Sequence, residues 1–326
     1  MSYLRLSIAC AALLAGVISG IFPAHSQEWP AKPMRVVVPY APGPVPEGLF
    51  RAQQPFVEAR LGGKFFIDNK PGADGTIGTA DAARGAPDGY TLLLAPTANF
   101  AVTQHMYKSL PYDVFNDFDP IATLWEAPLI LVVPASLPVK TFKELDALLR
   151  ASPGKFNYGS PGSGSPSHLT SEQISQATGN SLVYVPFKGT APLVVSMLAG
   201  DIQMAHFSLT AVGGHLKTGK LRAISITSKQ RMVEIPEVPT TIEAGFPQYS
   251  GTNWWVLAAP RGTPTRIINR LANDFLVTLK DPEVVKRIAE TGHVNVGLGP
   301  ADTAKFLRSE AVRYKKIVED GKITAQ

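Results

Sequence analysis

Cysteine is nearly absent: the 326 residues contain one, Cys10. A single cysteine excludes a disulfide framework and a Cys-based zinc site. Charge is also sparse, at 17% Asp, Glu, Lys and Arg with no run of Lys or Arg, so no nucleic-acid surface is implied. Internal repeats, heptads and low-complexity tracts are missing. The one long uncharged apolar run is Ile8 to Ile21, after Arg5 and before Ala24-His25-Ser26. That order of a positive start, an apolar stretch and small residues before Gln27 reads as a secretory signal peptide, residues 1–26, too short for a stable span. A lipoprotein cut at Cys10 is the rival reading, and it needs an apolar residue where Ser7 stands. Removal of residues 1–26 would take the only thiol with it and lower the formal charge from +5 to +4. The product would hold together by its core alone in an oxidising compartment.

What remains is an ordinary globular composition, 45% hydrophobic, long enough for one large or two moderate domains. Strand and helix patterns alternate along it. Residues 35–39, 65–67 and 91–94 read as strands, with helices at 47–61 and 75–83 between them. The scheme repeats at 129–133, 182–185, 202–205 and 222–226, with a capping box at Thr141 and Glu144 ahead of Leu145. A further apolar run covers 253–258. The part beyond it reads as helical, with Pro264 and Pro282 at helix starts. Strands separated by helices imply parallel pairing with helical crossovers, and so an α/β fold.

The residues with most to say are Asn157 to Leu169, NYGSPGSGSPSHL. An apolar approach ends in glycines and hydroxyls just before a helix starts near Ser167. Such a loop can aim backbone N–H groups and Ser hydroxyls at one spot in front of a helix N-terminus, which suits an anion or carboxylate. A plain surface loop is the alternative. Ligands in open α/β sheets sit at the carboxyl ends of strands, which adds the loops 42–47 and 95–99. Lys188, between a strand end and a helix start, is either a solvated surface charge or a cation beside a bound carboxylate.

Catalytic constellations fail on inspection. No register of residues 159–167 gives Gly-x-Ser-x-Gly, and Ser165 with His168 is a local pair without an acid. The stretch 214–220 resembles a phosphate loop, but Leu221 stands where Ser or Thr must hold magnesium. His168 and Glu172 share a helix face, yet the six histidines are scattered and no second close ligand joins them. No metal and no cofactor is expected. Of Trp254 and Trp255, adjacent on a strand, one faces away from the other and could line a cleft.

Several ordered blocks carry a resemblance: PGADGTIG at 71–78, PDGYTL at 87–92, LPYD at 110–113, the 158–169 loop, VPFKG at 185–189, GKLR at 219–222, VPT at 238–240, EAG at 243–245 and APRGTP at 259–264. In this order and over nearly the whole chain, they resemble the Bug family, periplasmic receptors of tripartite tricarboxylate transporters. The resemblance implies a two-lobed type II periplasmic binding protein, a clamshell whose lobes are each a mostly parallel sheet flanked by helices. It places lobe 1 at 27–127 and 252–326 and lobe 2 at 128–251. It implies a non-enzymatic, monomeric protein of the periplasm that captures a small organic acid between the lobes and delivers it to inner-membrane transporter subunits. Presentation of the ligand to a sensor kinase uses the same clamshell and is an alternative; a secreted hydrolase is a third.

Carried over residue by residue, the resemblance assigns the ligand's carboxylate to Pro42, Gly43, Val45 and Glu47 on one side. On the other it assigns Ser160, Gly162, Ser163, Gly164 and Ser165, with His168 behind them. Thr97, Asn99, Phe187, Lys188, Phe207 and Trp254 complete the expected lining. The first loop departs from the family's Pro-Gly-Gly-x-x-Asp: Pro44 and Pro46 have no N–H, and Glu47 has the longer side chain. Phe207 stands where amino-acid binders carry an acid. An aromatic there cannot neutralise an ammonium, so aromatic or medium-chain carboxylates are expected over amino acids.

Overall fold

The computed structural model describes residues 29–179, 182–249 and 251–324; the signal-peptide reading and Cys10 lie outside them. Two sheets organise the chain. The first contains β1 (Met34–Val38), β2 (Phe65–Asn69), β3 (Thr91–Pro96), β4 (Phe118–Ala127), β10 (Asn253–Pro260) and β11 (Val294–Leu298), in the order β11-β4-β10-β3-β1-β2. The second contains β5 (Ile130–Pro134), β6 (Asn157–Ser160), β7 (Val183–Pro186), β8 (Met204–Phe207) and β9 (Leu221–Ile226), ordered β7-β6-β8-β5-β9. Both sheets are mixed. β1, β2 and β3 run parallel, as do β6, β7 and β8, while β4, β5 and β10 run antiparallel to their neighbours. The antiparallel strands are those through which the chain passes between sheets.

The strands are apolar on both faces because helices cover both. Val36, Val38, Leu92 and Leu94 enter one core of the first sheet, while Val37, Leu93 and Ala95 enter the core on its other face. Period-two alternation of an unbroken apolar run produces this division. The second sheet is built the same way, with Ile130 and Val132 on one face and Leu131 and Val133 on the other. Among the helices, α1 (Leu49–Leu61), α2 (Thr76–Ala83), α3 (Thr103–Met106), α8 (Thr265–Thr278), α9 (Pro282–Ala289) and α10 (Pro300–Asp320) accompany the first sheet. Those of the second are α4 (Phe142–Ala151), α5 (Pro166–Ala177), α6 (Thr190–Ala199) and α7 (Leu209–Lys217). The capping box of α4 forms as expected: Glu144 N–H donates to Thr141 Oγ1 at 3.1 Å, and Thr141 N–H donates back to the Glu144 carboxylate at 3.1 Å.

Three differences from the sequence reading bear on the site. β4 and β11 were not anticipated, and β11 interrupts the expected all-helical end. β8 runs two residues later than expected, which places Phe207 inside the strand. The helical run of α1 begins early, with one π turn over Pro44–Gly48.

The passage between sheets is short and pinned. Only Pro128 and Leu129 separate β4 from β5. Leu129 and Thr227 exchange hydrogen bonds of 2.9 Å, and Thr252 Oγ1 donates to Glu126 Oε2 at 2.9 Å. The ends of β4 and β3 and the start of β10 share one edge, since Asn253 pairs with Ala127 and Trp255 with Pro96. In the second sheet Ile130 pairs with Phe207 and Ile226, so the ends of β8 and β9 flank the start of β5. The strand-end loops of the two sheets therefore lie at the edges that the crossing joins.

Helix α5 bonds the lobes directly. Among the described residues of 128–251, its fully buried Leu169 alone enters a core otherwise built from Phe100, Trp254, Tyr314 and other residues of the first sheet and its helices. Gln176 Nε2 donates to Ile317 O of α10 at 3.1 Å. Leu169→Ala should therefore lower the unfolding free energy by about 3 kcal/mol, read by urea denaturation; an unchanged midpoint would mean that this contact contributes nothing.

Candidate functional site

The Gly/Ser loop leaves β6 at Ser160 and enters α5 at Pro166, and most of its polar groups are satisfied from within. Ser160 is fully buried; its Oγ pairs with Tyr184 OH at 2.7 Å and donates to Gly162 O at 2.7 Å. Ser165 caps α5 by accepting from His168 N–H at 3.2 Å and donates through Oγ to Gly162 O at 2.8 Å. Gly164 has φ +72°, a left-handed value that favours glycine, and its N–H donates to His168 Nδ1 at 3.0 Å. Ser163, half-buried at the crest, makes no hydrogen bond through N–H or Oγ among the described residues.

The backbone bond from Gly164 fixes the tautomer of His168. Nδ1 accepts, so in the neutral ring Nε2 carries the proton, and Nε2 has no protein partner among the described residues. The ring lies flat on Tyr184, centroids 3.8 Å apart, and Tyr184 in turn stacks on Tyr158 at 5.1 Å. Tyr158 and Tyr184 are register partners on β6 and β7, which is why the stack forms. Tyr158 OH donates to Glu172, one turn along α5 from His168. Burial holds the His168 pKa down at about 4.

Next to this loop, Phe187 N–H donates to Ser160 O at 3.0 Å and Gly189 N–H to Pro161 O at 3.1 Å. These bonds fix Lys188, exposed and without an ion pair among the described residues, beside the Gly/Ser loop. Phe187 itself is half-buried against the second lobe's core. In the first loop Pro42 is exposed and Gly43 half-buried, ahead of the π turn that includes Val45.

Several expected lining residues are taken up by the scaffold. Thr97 is fully buried and its Oγ1 accepts from Trp254 N–H at 3.0 Å, joining the end of β3 to the start of β10. Asn99 is spent on Tyr40 OH at 2.8 Å and Thr79 Oγ1 at 3.1 Å. Trp254 is fully buried beside Phe100 and Phe306 and donates through Nε1 to Glu310 at 3.0 Å, so it lines no cleft. Trp255 faces the other core. Phe207 is 3% exposed and packs with Ile130, Ala205 and Val212, because β8 turns that side away from α5. The expectation of an aromatic wall at Phe207 fails on this packing. Glu47 does not reach for a ligand either: Arg51, one turn on, binds it at 2.7 and 2.9 Å.

Sequence reasoning missed the stack of Tyr158 and Tyr184, and Ser171 with His206 beneath α5. Ser171 Oγ bonds His206 Nδ1 at 2.8 Å, while His206 Nε2 is buried with no partner among the described residues, and burial lowers the His206 pKa to about 3. The alternation Tyr158, Ser160 on β6 opposite Tyr184 on β7 was the only available signal.

The cleft edge is thus built of loop amides and hydroxyls in front of a helix N-terminus. The comparisons with known proteins decide which kind of protein this is. Residues 49–323 match the tripartite tricarboxylate transporter family receptor. The chain belongs to that family. It is 33% identical over 299 residues to BugT of Bordetella pertussis, with 91% of this chain and 92% of BugT covered. Among solved structures it resembles an R. palustris protein with adipate, at TM-score 0.74, 30% identity and 91% and 99% coverage. It also resembles MatC from Rhodopseudomonas palustris with bound malate, at TM-score 0.70, 28% identity and 89% and 100% coverage. The family resemblance carried by the ordered motifs and the two-lobed α/β fold are thus confirmed, and the protein is a solute-binding receptor rather than an enzyme. Receptors of this family are periplasmic.

His168 and His206 are neutral in the fold, whereas in the unfolded chain each binds a proton below about 6.5. Their contribution is therefore fully present above that pH and is lost as pH falls toward 4 for His168 and 3 for His206. For His168 the shift corresponds to about 3 kcal/mol. Melting temperature should fall between pH 6.5 and 4, and His168→Asn, which keeps an acceptor for Gly164 N–H, should flatten that fall. Parallel profiles for the two proteins would remove His168 from this account.

Proposed function

We propose that this protein captures a small organic carboxylate without an amino group between its lobes and delivers it, as a secreted periplasmic monomer, to the membrane subunits of a tripartite tricarboxylate-type transporter. One observation carries the reading: donors at the Gly/Ser loop are uncommitted while acids at the same edge are not. Ser163 N–H and Oγ, His168 Nε2 and the Lys188 ammonium have no partner among the described residues. Glu47 is held by Arg51, Asp74 accepts from Tyr107 OH at 2.7 Å, Glu126 accepts from Thr252, and Glu172 accepts from Tyr158 and Gln176. Backbone N–H groups before a helix, a neutral imidazole donor and a nearby cation suit a carboxylate. No acid is bonded to the Gly/Ser loop itself among the described residues, and an unpaired buried ammonium costs several kcal/mol.

The relatives solved with adipate and malate support the carboxylate class. The preference for acids with an apolar body no longer draws on Phe207; it rests on the absence of an acid bonded to the loop among the described residues and on the apolar residues that bound the loop.

The test is calorimetry with adipate, malate, benzoate, aspartate and glutamate. The acids without an amino group should bind at least about tenfold more tightly than the amino acids, a difference of about 1.4 kcal/mol. Ser163→Pro, which removes one N–H and one hydroxyl, should weaken the bound acid by about tenfold or more, with the apo melting temperature little changed. Tighter binding of aspartate or glutamate would contradict the ligand class, and unaltered affinity in Ser163→Pro would move the site elsewhere.

A further inference from the structure

Resting on the carboxylate reading of the Gly/Ser loop, we propose that Met106 of the first lobe is a specificity-determining residue: its thioether closes over that loop and packs against the body of the bound acid. A Cβ built on Gly164 would lie 2.6 Å from Met106 Cε and 2.7 Å from Sδ. Met106 therefore rests on the second lobe's loop at the one residue whose missing side chain permits it, next to the uncommitted Ser163. Apart from its two chain neighbours, no other residue among the described ones comes within 4 Å of that position.

The backbone that carries Met106 is fixed on several sides. Thr103 Oγ1 bonds Tyr112 OH at 3.3 Å, His105 Nε2 bonds Ala311 O at 3.0 Å, and Tyr107 OH bonds Asp74 at 2.7 Å. Its side chain is half-buried and packed against the first lobe's core. A clamped backbone bearing an unbranched, polarisable side chain makes an adaptable apolar wall. An acid held by its carboxylate at Ser163 must either displace the thioether or lie along it. Methylenes gain from that contact, and hydroxyl-bearing or short acids gain little.

The experiment titrates linear diacids from succinate to suberate into wild type, Met106→Gln and Met106→Leu, with apo melting temperatures measured in parallel. In wild type, affinity should rise with chain length. Met106→Gln keeps the volume but removes the apolar surface, so the longest acids should weaken by about fivefold and succinate by less than about twofold. Met106→Leu should retain the wild-type ranking. Equal weakening of all acids, or no weakening of any, overturns the assignment of Met106 while leaving the carboxylate reading in place. Failure of every diacid to bind wild type would strike that reading, and this inference with it.

Discussion

The position of α5 is the constraint on which the rest depends. Its N-terminus is capped by Ser165 and backs the Gly/Ser loop. Ser171 fastens its middle to His206 of the second sheet, and Leu169 is buried in the core of the first. Its far end meets α10 through Gln176. One helix thus belongs to the core of both lobes, and the loop it carries cannot move without disturbing one or the other. Glu126, Thr227 and Thr252 pin the passage between the sheets beside it.

That arrangement explains the allocation of polar groups. Groups that must hold the scaffold still, such as Thr97, Asn99, Ser160 and Gly164 N–H, are paired inside it. A buried polar group left unpaired costs about 1–3 kcal/mol, so those pairings stabilise the frame as well as orient it. The imidazole of His168 joins the two sets. Gly164 N–H and the Tyr184 ring fix one side of it, and burial keeps it neutral. A neutral imidazole donor keeps its proton at Nε2 with little dependence on pH above 6.5.

Much of the fold was legible because its strands are unbroken apolar runs. Val36 to Val38 and Leu92 to Leu94 could only be strands buried on both faces, and the alternation of helices between them required parallel pairing. β4 was hidden because Asp119, Pro120 and Glu126 interrupt its pattern, and β11 because Asn295 and Gly297 make it a polar edge. At the site, the Gly/Ser loop was readable from composition and from motif order. Its internal bonds were not, since they depend on a histidine four residues on and on tyrosines of two strands. Phe207 was misplaced by a two-residue shift of β8: Ile202 is buried but precedes the strand, so Phe207 falls within it rather than at its mouth. Met106 gave no signal, because its partner Gly164 is distant in sequence.

The most direct test of the central claim is amide and imidazole 15N chemical shifts of the whole protein, recorded with and without saturating adipate. The account predicts that the largest changes fall on the amide of Ser163 and on His168 Nε2, with His168 Nδ1 remaining an unprotonated acceptor. Unchanged resonances over residues 160–168, with changes concentrated in the groove between α7 and residues 234–238 of the second lobe, would contradict it.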